Sequence, residues 1–341
     1  MRIMKRKASI LMAGLLFAVG FAAGCGKQGQ TPEAEKFVYM PDGAPAMAMA
    51  GLMAEDKEDD GVTYKVVDSS KIASKVTYTD EDKNADLCVM PVNLASKQLG
   101  KGDRYIMLGA VTHGNLYLIA KDGEAYTADN LSSLVGKKVG VLQINAVPGL
   151  TFKATLNKYS IPWQELTNDG NVAEDKVNLI AIAGADAVGT IEADCFMIAE
   201  PAATAQGKKG YSIVGDLQAL YGGENGYTQA VLVAKKSLVE TNGAWVQSFV
   251  EKLDGAAAWL QTASGAEIVA AVSSHMEDEG AETSLKAPLL TSEVVARCGI
   301  SFTYAAACAT QTNGFLSAML AVNSTAAAVP SDTFYWDFMK K

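Results

Sequence analysis

Residues 37–50, Phe-Val-Tyr-Met-Pro-Asp-Gly-Ala-Pro-Ala-Met-Ala-Met-Ala, constrain this chain more than any other stretch. Residues 37–40 form a short apolar β-rich run, of the kind that fills a parallel sheet covered on both faces. Pro41, Asp42 and Gly43 are turn residues, and Gly43 adopts φ > 0 without steric cost. Pro45 suits the first helical position, where no amide hydrogen is needed. The Ala/Met run that follows is strongly helical and has no polar face. A strand thus ends in a tight turn and a helix starts beside it. Taken alone, this is also what an ordinary strand–helix turn looks like. In open α/β sheets it is the place where ligands sit, facing free helix amides.

The pattern recurs. Residues 62–67 alternate and predict a second strand. Residues 85–90 predict a third, ended by Pro91-Val92-Asn93, and a helix over 94–99 is stopped by Gly100-Lys101-Gly102. Residues 105–110 and 116–120 predict two more strands, separated by Thr112-His113-Gly114-Asn115. Strands alternating with helices at this interval imply βαβ units and a mostly parallel sheet. The polar stretch 121–134 reads as a crossing between lobes. A second series follows: a strand at 138–142, the turn Gln143-Ile144-Asn145-Ala146, a helix over 150–159, a strand or helix at 177–183, and a strand at 194–199 ending in Glu200-Pro201. Residues 211–214 and 227–234 complete it, the latter opening on Tyr227. Beyond Lys236 the period changes: Val246, Phe249, Val250, Leu253, Ala257 and Leu260 recur at threes and fours, as in an amphipathic helix. Further helices are predicted at 268–272, 293–296 and 315–322, and the aromatic tail 329–336 is expected to pack onto a lobe.

The first residues, Met-Arg-Ile-Met-Lys-Arg-Lys, form a basic region, and residues 8–23 are apolar without charge. This predicts a secretory signal over 1–24, too short and wrongly flanked for a stable membrane span. Phe21-Ala22-Ala23-Gly24-Cys25 resembles the bacterial lipobox, which implies cleavage before Cys25 and lipid on its thiol and amine. Stable anchoring takes more than one acyl chain. Residues 25–35 read as a polar tether. Loss of Arg2, Lys5, Arg6 and Lys7 with the signal takes the net charge from −9 to −13. That acidity argues against a nucleic-acid partner. Two arginines survive cleavage, Arg104 and Arg297. Cys88 and Cys195 lie in apolar strand-like runs and read as buried small hydrophobes. Cys298 and Cys308 could pair outside the cell, although spacing alone does not decide it. None of the cysteines has zinc-site spacing.

Catalytic signatures are missing. There are two histidines, His113 and His275, and no His-Glu-x-x-His, Gly-x-Ser-x-Gly, P-loop or Gly-x-Gly-x-x-Gly motif. The glycines of Leu134-Val135-Gly136-Lys137-Lys138-Val139-Gly140 precede a strand, whereas those of a phosphate loop follow one. His275 is expected at the surface, and His113 lines the cleft or fills the core. Five turns after strands remain: Pro41 to Ala44, Pro91 to Asn93, Thr112 to Asn115, Gln143 to Ala146, and Glu200-Pro201. They converge on one cleft if two lobes face each other.

With these turns in hand, the chain resembles the substrate-binding proteins of ABC importers, in the branch of sulfonate, nitrate and thiamine-pyrimidine binders. The resemblance rests on the lipobox at Cys25, on Tyr39-Met40-Pro41-Asp42-Gly43, on Ala85-Asp86-Leu87-Cys88-Val89-Met90-Pro91, on the run from Leu134 to Val141, and on the run from Ala193 to Pro201. It implies an α/β fold of two lobes, the type II-like periplasmic-binding-protein fold, with the ligand gripped in an interlobe cleft. Lobe 1 is expected over 36–120 and 235–341, and lobe 2 over 121–234. The expected protein is a monomer, anchored by lipid on the outer face of the cell membrane. It needs no cofactor or metal and presents a small-molecule ligand to ABC permease subunits. The expected ligand contacts are Asp42, Gly43, Ala44, Asn93, Thr112, His113, Asn115, Gln143, Asn145, Ala146, Glu200 and Tyr227. Neither Arg104 nor Arg297 lies in any of the five turns, so the usual bidentate anchor for sulfonate or carboxylate is missing from them. Asp42 and Glu200 would repel an anion, which favours a small neutral or cationic nitrogen-bearing molecule such as an aminopyrimidine. The alternatives are an anion binder of the same branch, a pyrimidine-forming enzyme on the same fold, and a surface scaffold with an empty cleft.

Overall fold

Every strand among the described residues finds a place in one of two six-stranded sheets. The computed structural model describes residues 35–56, 61–80, 83–167 and 170–337, which form one compact unit from Glu35. The signal segment, Cys25 and nearly all of the tether lie outside the described residues. The first sheet runs β12-β4-β11-β3-β1-β2, from β1 (Lys36–Pro41), β2 (Val62–Val67), β3 (Leu87–Pro91), β4 (Tyr105–Thr112), β11 (Ala230–Lys235) and β12 (Ile300–Tyr304). The second runs β10-β5-β9-β6-β8-β7, from β5 (Leu116–Ala120), β6 (Lys138–Leu142), β7 (Trp163–Glu165), β8 (Val177–Ile182), β9 (Cys195–Ala199) and β10 (Ser212–Asp216). β1, β2 and β3 of the first sheet and β6, β7, β8 and β9 of the second are parallel, while β4, β5, β10, β11 and β12 pair antiparallel with their neighbours.

Period-2 side-chain alternation distributes these strands over three apolar layers. In β3, Leu87 and Val89 point into one core and Cys88 and Met90 into another. The first of these cores holds α1 (Ala44–Ala54), α7 (Gly243–Thr262), α8 (Gly265–Ser273) and α9 (Ser292–Arg297). Helix α1 has no polar face because it is covered all round: nine of its eleven residues are buried. It approaches α7 so closely that a Cβ on Gly51 would lie 2.8 Å from that of Ala256. The other core holds α2 (Val92–Leu99) and α10 (Ala305–Val322). It continues without a break to the second sheet and α3 (Val147–Lys158). In β9, Cys195 and Met197 face this shared core, while Phe196 and Ile198 face a third layer with α4 (Ala202–Ala205). Helices α5 (Leu217–Gly222) and α6 (Lys236–Thr241) complete the set.

The lobe boundaries expected at 121 and 235 need correction. Leu116–Ala120 pairs with β9 and β10 in the second sheet, and Ala230–Lys235 pairs with β3 and β4 in the first. The chain therefore crosses at 113–115 and again at 226–229. The polar stretch after Ala120 stays with the second sheet, where Tyr126 bridges to Gly215 and Leu131 and Leu134 are buried. Residues 177–182 are a strand. The aromatic tail does pack: Phe334 is buried, and the Trp336 amide donates to Met107 O at 2.9 Å beside β4. Cys88, Cys195, Cys298 and Cys308 are all buried free thiols, so Cys298 and Cys308 are not paired.

The shared core joins the two sheets through aromatic rings. Phe315 of α10 is 1% exposed, with its ring centroid 4.8 Å from that of Tyr227 and 5.1 Å from that of Tyr221. Truncation to alanine removes a large buried side chain from a site walled by both sheets. Phe315→Ala is expected to lower the unfolding free energy by about 3–5 kcal/mol, read by urea denaturation; a loss below about 1 kcal/mol would show that this contact does not bind the lobes.

Candidate functional site: the seam between the sheets

The sheet edges that meet at the crossings are the edges where helices begin. Helix α1 starts after β1, α2 after β3, α3 after β6 and α4 after β9. None of the four is capped by the side chain of its N-cap residue, but first-turn amides of α2 donate to Gln229 O and Asn93 Oδ1 and the Thr204 amide of α4 donates to Glu200 Oε2, which leaves the starts of α1 and α3. In register, Ala230 lies opposite both Pro91 and Thr112, and Leu116 lies opposite Ala199. The antiparallel strands thus bring the crossings to the carboxyl ends of the parallel ones.

Five of the expected site residues are drawn together at this seam. The His113 amide donates to Gly299 O at 2.7 Å, and the Tyr227 amide donates to His113 O at 3.2 Å. Thr112 O accepts from the Gln229 amide at 3.0 Å, and Thr112 Oγ1 accepts from the Ala230 amide at 3.1 Å. Asn115 O accepts from the Glu200 amide at 2.9 Å, while Asn115 Nδ2 donates to Glu200 O at 2.8 Å. Gln229 Nε2 donates to Asn115 Oδ1 at 3.0 Å. Tyr227 is fully buried and presses on Gly114, whose φ of 97° and lack of a Cβ allow the ring to sit where a Cβ would be 2.7 Å away.

Glu200 is placed differently from its expected role as an open charge at the cleft. Its side chain has no exposed surface, and Oε1 accepts from Arg297 Nε at 2.6 Å and from Thr204 Oγ1 at 2.7 Å. Oε2 accepts from the Thr204 amide at 2.9 Å. Arg297 in turn gives Nη2 to Thr204 Oγ1 at 2.9 Å and Nη1 to Glu293 Oε1 at 2.5 Å. Arg297 is remote from the five turns in sequence, but the fold brings it to one of them.

The remaining expected residues split between the two lobes. Asp42, half-buried, accepts from Thr283 Oγ1 at 2.5 Å and from the Ser284 amide at 2.6 Å. It bonds a distant loop and leaves its own turn unbonded. Gly43 has φ 94° and open space where a Cβ would point, and Ala44 begins α1. Asn93 is buried and donates to Ala326 O at 3.1 Å. In the second lobe, Gln143 and Asn145 are exposed. Gln143 has φ 45°, and Ala146 closes the turn through its amide to Gln143 O at 2.8 Å. Buried Lys153 supports this turn through Ile144 O at 3.0 Å.

Beside the seam lies a cavity of about 570 Å³ with walls from both sheets, including His113, Tyr117, Asp216, Gln218, Arg297 and Thr303. Sequence reading found only His113 among these. Asp216 and Gln218 carried a faint signal as a helix start after β10, where Asp216 caps the amide of Ala219. Burial holds the His113 imidazole below its usual range, with the backbone of Ser301 pulling weakly the other way, and His113 Nε2 lies 3.2 Å from Thr303 Oγ1. Burial also raises the thiols of Cys195 and Cys298 to about 12, away from the reactive thiolate form. Among the described residues, no group of three or more His, Cys, Asp or Glu could hold a metal ion. Among them, too, no helix is long and apolar enough to cross a membrane.

Two sheets joined by two crossings, with helix starts facing the seam, have clear counterparts among solved structures. An ABC transporter from Parabacteroides distasonis is similar at 18% identity and TM-score 0.67, over 90% of this chain and 100% of that one. The periplasmic aliphatic sulphonate binding protein SsuA from Escherichia coli is similar at 15% identity and TM-score 0.64, over 90% and 93%. The alkanesulfonate-binding protein SsuA from Xanthomonas axonopodis pv. citri bound to MOPS is similar at 13% identity and TM-score 0.54, over 88% and 97%. The fold is that of the two-lobed ABC-transporter binding proteins. No family model and no curated protein matches the chain.

The burial of His113 has a consequence for pH. Because the folded state disfavours the imidazolium, the unfolded chain takes up a proton here first as pH falls through about 6.5. Stability present at neutral pH is then lost toward acid. His113→Gln removes this contribution, so its unfolding free energy should fall less than that of the wild type between pH 7 and pH 5, as read by urea denaturation. An equal fall in both proteins would show that His113 is not the group responsible.

Proposed function

We propose that this chain is the solute receptor of an ABC importer. It is lipid-anchored through Cys25 on the outer face of the membrane and works as a monomer without a cofactor. It closes its lobes around a small neutral or cationic nitrogen-bearing molecule and presents it to permease subunits chemically unchanged. The observation that carries the reading is the seam itself: the helix starts of α1 and α3, one in each lobe and neither with a side-chain cap, and two backbone crossings meet at the facing edges of two sheets. Free helix amides suit ligand acceptors such as ring nitrogens or carbonyls. Asp42, with Gly43, Ala44 and Asn93, serves as the first lobe's part of the site; Gln143, Asn145 and Ala146 serve as the second lobe's. Thr112, His113, Asn115 and Tyr227 form its floor. Glu200 takes part through Arg297 and Thr204, which leaves Asp42 as the carboxylate nearest the ligand.

Charge supports a neutral or cationic ligand over an anion. Arg297 already faces two carboxylates, Glu200 and Glu293, and the neighbouring cavity adds Asp216 and Glu224. The second reading, a sulfonate or related anion, draws on the helix starts at Ala44 and Ala146, whose dipoles add about 0.3–2 kcal/mol for a negative group. It is consistent with the sulphonate binding proteins among the structural neighbours.

A thermal-shift screen of residues 26–341 separates the two. A ligand at a hundred times its dissociation constant adds about 2.7 kcal/mol. Aminopyrimidines and related nitrogen heterocycles are expected to raise the melting temperature, and Asp42→Asn is expected to weaken a cationic one roughly tenfold, about 1.4 kcal/mol. A response confined to sulfonates, nitrate or carboxylates would replace the nitrogen-bearing ligand with an anion. No response across both sets, or recovery of an altered compound, would overturn the receptor reading.

A further inference from the structure

We infer that Arg297 is a positioning residue that braces the hinge between the lobes and sets their resting angle. The inference rests on the proposed receptor function only in taking the two lobes to move. Helix α9 belongs to the first lobe, where Val294, Val295 and Cys298 are buried in the core shared with α1, α7 and α8. Its end is fixed to the first crossing. Gly299 O accepts the His113 amide, and Gly299 has φ 61°, with the site of a Cβ only 2.1 Å from Gly114 O. From this anchored end the Arg297 side chain leaves its own lobe. It bonds Glu200 and Thr204 at the β9–α4 corner of the second lobe, at 2.6 and 2.9 Å. Its carbonyl is held from the second lobe as well, by Tyr117 Oη of β5 at 3.0 Å.

One residue of the first lobe therefore carries three bonds to the second, beside the pivot. A rotation about 113–115 and 226–229 that parts α9 from this corner breaks all three together. It also uncovers a carboxylate that is fully buried when the pair is made. A buried carboxylate without its cation is strongly unfavourable, so the lobe angle seen here requires Arg297. Opening, by contrast, strands neither charge: Glu200 meets water, and Arg297 keeps Glu293 of its own helix, 2.5 Å away and largely exposed. The pair thus separates two discrete hinge angles and opposes those in between.

The test measures the distance between spin labels on the otherwise intact purified protein, at Lys252→Cys in the first lobe and Lys208→Cys in the second, both exposed positions. Among the described residues the native cysteines are buried and free. The unliganded wild type should give one narrow distribution. Arg297→Met and Glu200→Gln should each at least double its width, and the double variant should be no wider than the wider single one, since both remove the same pair. Arg297→Lys keeps the charge but not the fork and should fall between; it also keeps the test alive if Arg297→Met fails to fold. Unchanged widths in all variants, or widths that add in the double variant, would overturn the brace. Failure of the receptor reading looks different: no compound shifts wild-type melting, whatever the label distances show.

Discussion

A carboxylate with no exposed surface organises the middle of this molecule. Glu200 directly follows β9, the fourth parallel strand of the second sheet, and its partner Arg297 comes from 97 residues later, on a helix packed against the first sheet. Buried charges persist only when paired and hydrogen-bonded, so the second lobe is not complete until the C-terminal part of the chain has returned to the first. Around that pair the hydroxyl and amide of Thr204 bond the carboxylate, while Asn115 holds the Glu200 backbone through its own carbonyl and its side-chain Nδ2. The same residues define where the chain may cross between sheets.

The two lobes were legible because their strands are short, apolar on both faces and followed by turn residues. Leu87-Cys88-Val89-Met90 and Cys195-Phe196-Met197-Ile198 each send alternate residues into different cores, which is what an uninterrupted apolar run means in a covered sheet. The points where the chain changes sheets were not legible. Residues 105–112 and 116–120 are equally apolar, and Thr-His-Gly-Asn between them suits a turn within one sheet as well as a crossing between two. Only the pairing partners distinguish these, and those partners lie far along the chain. The polar stretch after Ala120 looked like the link for the same reason: its surface is wet, but its backbone runs along the second sheet.

Site residues divided along the same line. Local chemistry identified the turns, since Gly43 does take the positive φ that a Pro-Asp-Gly turn requires. What the side chains do there was set by residues with no local signature. Asp42 is tied to Thr283 and Ser284, some 241 residues away, rather than to its own backbone. Arg297 sits at the end of a six-residue helix, too short for any periodicity to show which face it presents. Charge arguments from sequence treat an acid as open until its partner is found, and for Glu200 the partner was one of only two arginines beyond the signal segment.

Capping shows how the chain distributes its polar groups. Helix α8 begins with a capping box from Ser264 and Glu267, α9 is capped by Thr291 and α5 by Asp216, whereas the N-cap residues of α6, α7 and α10 give no side-chain cap. At the seam, α1, α2, α3 and α4 begin on glycine, alanine or proline with no side-chain acceptor. First-turn amides of α2 and α4 are nonetheless bonded, to Gln229 and Asn93 and to Glu200, so the starts of α1 and α3, one in each lobe, differ from them, and Asp42 stands beside the first.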